Sequence, residues 1–188
     1  LLFPEICHHC GACTIACPEG AISEVEREIG LVERDSGGDF IQGTLDIGEP
    51  ISIPILDELK RNIRPDMFTI LDCPPGASCN VVSVLEPCDY YLLVTEPTPF
   101  GLHDVKIAVK LVRQMEIPFA IVINKAVDTD RSIHNFCEKE GIEILLELPF
   151  SESIARDYSR GVLPIDGNVY WKDQFEGLYE KIKRRIFR

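Results

Sequence analysis

The sequence predicts an α/β fold in which a doubly wound, mainly parallel sheet carries a small cysteine-rich attachment. From residue 68 onward, apolar strands alternate with amphipathic helices, and the strands lack the polar alternation of a sheet with one solvated face. Polar or proline-containing turns follow the strands, as is typical of parallel sheets with crossover helices. Strands are expected at 68–71, 90–94, 119–123 and 142–146, and helices at 81–85, 102–114, 132–140 and 151–158.

The amino-terminal segment contains four closely spaced cysteines, Cys7, Cys10, Cys13 and Cys17. Their C-x-x-C-x-x-C-x-x-x-C-P spacing is that of bacterial ferredoxins, in which three thiolates bind one 4Fe-4S cluster and the fourth serves another. A zinc knuckle, a disulfide framework and unrelated buried cysteines are the alternatives. Zinc sites pair two separated C-x-x-C knuckles or add histidines at ligand spacing, so iron–sulfur binding is preferred. His8 and His9 are expected to be exposed and non-ligating.

Composition limits the class of protein. A chain of 188 residues that is 45% hydrophobic can form one domain plus a small attachment. The net charge of −12 disfavours nucleic acid as a partner, because phosphate binding needs clustered basic residues. Eight cysteines without a signal peptide or membrane-length apolar run favour a cytoplasmic location. The chain begins at Leu1, and it is expected to be the C-terminal part of a longer protein.

Three further elements are predicted outside the sheet. Residues 29–33 and 40–45 flank a glycine-containing turn and are expected to form a hairpin. A helix is expected where Ile55, Leu56, Leu59 and Ile63 recur at helical spacing. The C-terminal helix has an apolar stripe of Trp171, Phe175, Leu178, Ile182 and Ile186. This stripe is expected to pack on the core, although its basic end leaves an anionic membrane surface as the alternative.

Two groups at predicted strand ends are candidate nucleotide-binding residues, because ligands of open α/β sheets bind at that edge. Asp72 follows an apolar strand, as does the aspartate that holds hydrated Mg²⁺ in nucleotide sites. Pro74-Pro75-Gly76 then forms a stiff loop that can approach a phosphate, although an ordinary turn is the alternative. Asn124 and Lys125 resemble a guanine-reading motif, but Asp128 comes one position too late, so adenine is preferred.

Together these motifs resemble the MinD-like, deviant-Walker P-loop ATPases that carry an inserted ferredoxin domain, relatives of the Mrp-type iron–sulfur carriers. The resemblance covers nearly the whole chain and rests on the cysteine run, on segments 43–50, 71–76 and 95–104, and on Asn124. It implies a P-loop NTPase-type fold with a partial ferredoxin-like insert. Residues 1–28 would be half of a 4Fe-4S module, and residues 29–188 the C-terminal part of the ATPase domain.

The resemblance also implies roles for individual residues. Asp72 would support Mg²⁺, Pro74-Pro75-Gly76 would form the phosphate-sensing switch, and Asn124 with Pro149 would bracket adenine. One cluster would be held by Cys7, Cys10 and Cys13, with Cys17 assigned to the other. The remaining cysteines are expected to be small apolar or surface residues: Cys73, Cys79, Cys88 and Cys137.

The chain departs from the family pattern in three features. A phosphate loop ending in Gly-Lys-Thr, an acidic switch segment and a first ferredoxin cysteine run are not found in it. ATPase activity is therefore expected of the full-length parent, whereas this chain should bind ATP weakly and has no assigned catalytic residue. Because Cys17 should serve a cluster whose other ligands lie upstream, the isolated chain is predicted to lose clusters readily.

The leading functional expectation is a cytosolic iron–sulfur, ATP-binding protein that couples nucleotide state to electron transfer or cluster delivery. Its expected partners are a redox or iron–sulfur client protein and a second copy of the chain. A non-enzymatic electron-transfer or interaction module on an α/β scaffold is the first alternative. A MinD-like positioning ATPase on membranes is the second, although membrane association is disfavoured.

Overall fold

The computed structural model describes residue 7, residues 10–127 and residues 129–187. It forms two compact units, the first containing Ser78–Val84 and the residues up to Cys73, the second Pro74–Ala77 and the residues from Leu85 onward. His8 and His9, for which a prediction was made, lie outside the described residues. The domain boundary expected after residue 28 stays a prediction.

The first unit contains a short helix, a hairpin and two further helices: α1 (Ala12–Ala16), β1 (Gly30–Arg34), β2 (Ile41–Leu45), α2 (Ile53–Lys60) and most of α3 (Cys79–Leu85). The predicted hairpin is confirmed, with β1 and β2 antiparallel and Gly30 opposite Leu45. The buried side chain of Ile55 in α2 lies against the hairpin, since a β-carbon on Gly43 would be 2.4 Å from its Cγ2 atom. Small residues in the strands therefore let α2 approach closely.

The second unit contains a three-stranded sheet and its helices: β3 (Tyr91–Thr95), α4 (Pro99–Gln114), β4 (Phe119–Ala126), α5 (Ser132–Glu140), β5 (Ile144–Pro149), α6 (Glu152–Tyr158), α7 (Pro164–Gly167) and α8 (Val169–Ile186). The strand order is β3-β4-β5, and both pairings are parallel. The predicted α/β fold with a parallel sheet is thus confirmed for this unit.

The core of the second unit lies between the sheet and its crossover helices. It is formed by Val105 and Val109 of α4, Ile121 and Ile123 of β4, and Ile133 and Cys137 of α5. Both helices share the same β4 residues, so α4 and α5 cover one face of the sheet. Burial raises the pKa of the Cys137 thiol to about 11, in agreement with the apolar role predicted for it. A doubly wound arrangement, with helices on both faces, stays a prediction.

The long C-terminal helix α8 packs along β5. Trp171 is buried, and the Lys181 ammonium donates a hydrogen bond of 2.7 Å to the Leu145 carbonyl oxygen. Arg185 donates a hydrogen bond to the Glu143 carboxylate. The expected core packing is therefore confirmed for Trp171, while Phe175 remains 39% exposed. Among the described residues, no helix has the length and apolar character needed to cross a bilayer.

The strand predicted at 68–71 was wrong. No strand is formed between residues 66 and 78, and Ile70 is 81% exposed. A β-strand requires a hydrogen-bonded neighbour, and the described strands pair only among themselves, in the hairpin and in the three-stranded sheet. The apolar sequence of residues 68–71 alone is therefore not sufficient to form a strand. Asp72 follows an irregular segment here rather than the end of a strand.

Candidate functional site

The cysteine run forms a turn followed by one short helix. Gly11 precedes α1 with φ of 69°, a left-handed conformation that glycine adopts at little cost. Cys13 lies in this helix, Cys10 lies before the turn, and Cys17 follows the last helical residue. Cys10 and Cys13 are exposed, whereas Cys7 and Cys17 are partly buried, and all four are free thiols. Glycine at position 11 thus permits the sharp turn between the second and third thiols.

The Cys17 thiol accepts a backbone hydrogen bond. The backbone N–H of Ala21 lies 3.4 Å from its Sγ atom and donates a hydrogen bond to it. This bond is the main cause of a lowered pKa at Cys17, since a donor stabilises the thiolate more than the thiol. Hydrogen bonds to sulfur also tune iron–sulfur centres. The environment of Cys17 therefore favours the thiolate, which is the form of the side chain that binds metal.

The donor chemistry of this segment fits a 4Fe-4S cluster. Four free thiols occur at ferredoxin spacing, and the Thr14 hydroxyl next to Cys13 is buried without a hydrogen-bond partner among the described residues. Among the residues that the structure describes, no group of three or more His, Cys, Asp or Glu side chains lies close enough together to hold a metal ion. Thiolate segments of this size fold as they bind their metal. Spacing and donor type, rather than a preformed cage, therefore support cluster binding.

Two charged residues downstream lie close to the cysteine run. The Glu24 Oε1 atom lies 3.3 Å from the position that a β-carbon on Gly11 would occupy. Arg27 donates two hydrogen bonds to Glu49, one of them 2.6 Å long between Nη2 and Oε2. The bonded Glu49 carboxylate is the main cause of a raised pKa at Arg27, and the charge of Cys7 contributes. Sequence reasoning missed Glu24 and Arg27, because neither residue belongs to a local motif.

Replacing Gly11 with alanine is expected to weaken both the fold and cluster binding of this segment. The left-handed backbone costs a non-glycine residue about 1–2 kcal/mol, and the new methyl group would meet Glu24. Gly20→Ala is the matched control, because Gly20 has φ of 58° and no neighbour within 4 Å. Iron content after anaerobic reconstitution should fall further in G11A than in G20A. Equal iron content in the two variants would contradict a role for the Glu24 contact.

The structure places Asn124 and Pro149 at the carboxyl edge of the sheet. They lie on the adjacent strands β4 and β5, where Pro149 is paired with Ala126. The Phe150 N–H donates a hydrogen bond of 3.2 Å to the Ala126 carbonyl oxygen. The Asn124 side-chain oxygen accepts a hydrogen bond of 3.0 Å from the Lys125 N–H. The two residues predicted to bracket adenine are thus brought to one edge. Their role stays a prediction.

An ion pair joins the ends of β3 and β4 at this edge. The Lys125 ammonium lies 2.7 Å from a carboxylate oxygen of Glu96. Lys125 has φ of 52°, which is uncommon for a residue other than glycine. Strained conformations of this kind are often found at functional sites. The sequence places both residues at strand ends but could not indicate that they pair.

The first turn of α4 is built against the end of β3. The Thr98 hydroxyl caps the helix by accepting a hydrogen bond of 3.0 Å from the Gly101 N–H. The Thr95 hydroxyl donates a hydrogen bond of 3.0 Å to the Gly101 carbonyl oxygen. A threonine cap followed by Pro99 explains why the helix begins earlier than the predicted residue 102.

The remaining predicted nucleotide residues lie in irregular chain. Asp72 belongs to the first unit, whereas Pro74-Pro75-Gly76 belongs to the second. Gly76 has φ of 110°, which an L-residue with a side chain rarely adopts. The chain bends at this glycine, directly after the two prolines. The assignments of Asp72 to Mg²⁺ and of the loop to phosphate sensing stay predictions.

Comparison with known proteins gives one family match and several relatives that are longer than this chain. Residues 2–23 match the family described as 4Fe-4S binding domain. An uncharacterised protein of Methanocaldococcus jannaschii is 31% identical over 86% of this chain and 57% of its own length. An uncharacterised ATP-binding protein of the same organism is 26% identical over 71% of the chain and 54% of its own length.

A third relative is named an iron-sulfur cluster carrier protein. It comes from Pyrococcus abyssi and is 28% identical over 52% of this chain and 38% of its own length. The chain spans little more than half the length of the first two relatives. The family match at residues 2–23 confirms the prediction that the amino-terminal cysteine segment is of the 4Fe-4S-binding type.

Proposed function

We propose that this chain is part of an iron–sulfur, nucleotide-binding ATPase in which nucleotide state is coupled to electron transfer or cluster delivery. The observation that carries the proposal is a 4Fe-4S-type cysteine segment, at residues 2–23, in the same chain as a parallel α/β sheet. Asn124 and Pro149 lie at the sheet edge where nucleotides bind in such folds. The names of two relatives, an ATP-binding protein and a cluster carrier, favour the same combination.

In this proposal the cysteine run holds the cluster. Cys7, Cys10 and Cys13 bind one cluster through their thiolates, and Cys17 contributes to another. When bound, a cluster supplies one-electron transfer or is itself the cargo delivered to a client protein. The hydrogen bond from Ala21 to Cys17 favours the deprotonated ligand form of this thiol.

The nucleotide part of the proposal uses the sheet edge and the proline loop. The Asn124 amide can both donate to and accept from adenine, and its oxygen retains a lone pair beside the Lys125 N–H bond. Pro149 provides an exposed apolar surface on the adjacent strand β5, where it is paired with Ala126. Pro74-Pro75-Gly76 responds to the terminal phosphate, and Asp72 holds the hydration shell of Mg²⁺. Movement of such a loop can alter how a partner docks.

Calorimetry with Mg-ATP tests the nucleotide part. Asn124→Ala is expected to weaken Mg-ATP binding about 10-fold, because removing a hydrogen-bonding partner inside a site costs about 1–3 kcal/mol. Asn135→Ala is the matched control, since Asn135 is an exposed asparagine of α5. It should leave the affinity unchanged. Equal affinities of the three proteins would exclude adenine recognition by Asn124.

A second candidate function is an electron-transfer or interaction module in which the sheet is only a scaffold. It is favoured by the sequence, because no Gly-Lys-Thr or Gly-Lys-Ser is present in the 188 residues to cradle phosphates. The same calorimetry separates the two candidates. Submicromolar Mg-ATP binding would exclude the pure scaffold, whereas no detectable binding together with stoichiometric iron would favour it.

A further inference from the structure

The chain that follows the cysteine run returns to the cysteine loop. Glu24 places its carboxylate against Gly11, with Oε1 3.3 Å from the position of an added β-carbon. Gly11 lies between Cys10 and Cys13, two of the thiols assigned to the cluster. A carboxylate group therefore lies beside the turn that separates these two ligands.

The charge of Glu24 is not neutralised by a cation of the described residues. Glu24 is exposed and forms no ion pair in that part of the chain. The first lysine or arginine of the sequence is Arg27, and its guanidinium is engaged by both oxygens of Glu49. Arg27 is thus engaged by Glu49 and forms no ion pair with Glu24.

We infer that Glu24 lowers the reduction potential of the cluster held by the cysteine run. The inference rests on the proposed function, because it requires a bound cluster. Reduction adds one electron and makes the cluster more negative, so a nearby carboxylate disfavours the reduced form. Net charge around the sulfurs is one of the means by which proteins set these potentials. Glu24 acts through the electric field of its carboxylate and does not itself bind the cluster.

The test is a dithionite titration of the cluster-loaded protein, followed by electron paramagnetic resonance. Glu24→Gln is expected to raise the midpoint potential, so that the ratio of reduced to oxidised cluster at a fixed ambient potential increases severalfold. A tenfold increase corresponds to about 59 mV for a one-electron couple. Glu28→Gln is the matched control, because it removes the same charge from an exposed glutamate of the same segment. The shift in midpoint potential caused by Glu28→Gln should be less than half of that caused by Glu24→Gln. The midpoint potential of Glu24→Asp should remain close to that of the wild type.

Each other outcome overturns the inference. Equal shifts in E24Q and E28Q would show an effect of net charge alone, and an unchanged potential in E24Q with normal iron content would show no effect. Loss of the cluster from E24Q but not from E24D would assign Glu24 to folding of the loop. A wild-type protein that takes up no iron even during anaerobic reconstitution would refute the proposed cluster binding as well, which distinguishes the two failures.

Discussion

Serine in place of Cys13 is expected to reduce the iron and acid-labile sulfide of this protein to background. A serine hydroxyl stays protonated at neutral pH, so it cannot replace the thiolate that iron–sulfur clusters require. Cys13 lies in α1 and is exposed, which means that the loss follows from ligand chemistry and not from a damaged core. The measurement is iron and sulfide per chain after anaerobic reconstitution, together with the visible absorption of the cluster.

Cys79→Ser is the matched control for this loss. Cys79 is also exposed and lies in a short helix, α3, but outside the ferredoxin spacing. It should retain the wild-type iron content, and circular dichroism should be unchanged in both variants. Stoichiometric iron in C13S would contradict the assignment of the run. Tight binding of zinc in place of iron–sulfur by the wild-type protein would favour the knuckle interpretation.

Helices and strands that follow from the local periodicity of apolar residues could be predicted from the sequence. The hairpin, the crossover helices and the strands β3, β4 and β5 all occur within a few residues of their expected positions. The start of α4 was predicted at residue 102 instead of Pro99, although Thr98 and Pro99 together indicate a cap. The position of a helix start depends on such caps, and periodicity of apolar residues locates it only approximately.

Features that depend on a distant partner could not be predicted. Residues 68–71 have the composition of a buried strand, but a strand also needs a neighbour to pair with. The contact of Glu24 with Gly11 and the pairing of Arg27 with Glu49 join residues 13 and 22 positions apart. The 4Fe-4S type of the cysteine segment was therefore predictable from spacing, whereas the charged residues beside it required the structure.

Alanine at position 101 is expected to be among the most destabilising single methyl additions in the second unit. A β-carbon on Gly101 would lie 2.2 Å from the backbone carbonyl oxygen of Glu96, well inside van der Waals contact. Relief requires the start of α4 to move away from the end of β3, which breaks the hydrogen bond that the Thr95 hydroxyl donates to the Gly101 carbonyl oxygen. Overpacking of this kind costs about 1–3 kcal/mol and occasionally more. Urea unfolding should show this loss.

Gly177→Ala provides a control of opposite sign, because the same methyl group is added where there is room for it. Gly177 lies within α8, and an added β-carbon there would meet nothing within 4 Å. Alanine inside a helix is more stable than glycine by about 0.5–1 kcal/mol, so G177A should stabilise the protein. If G101A also stabilised it, α4 would not be held against Glu96 as the structure places it. Because Glu96 pairs with Lys125, a displaced α4 should also weaken Mg-ATP binding if the sheet edge forms the nucleotide site.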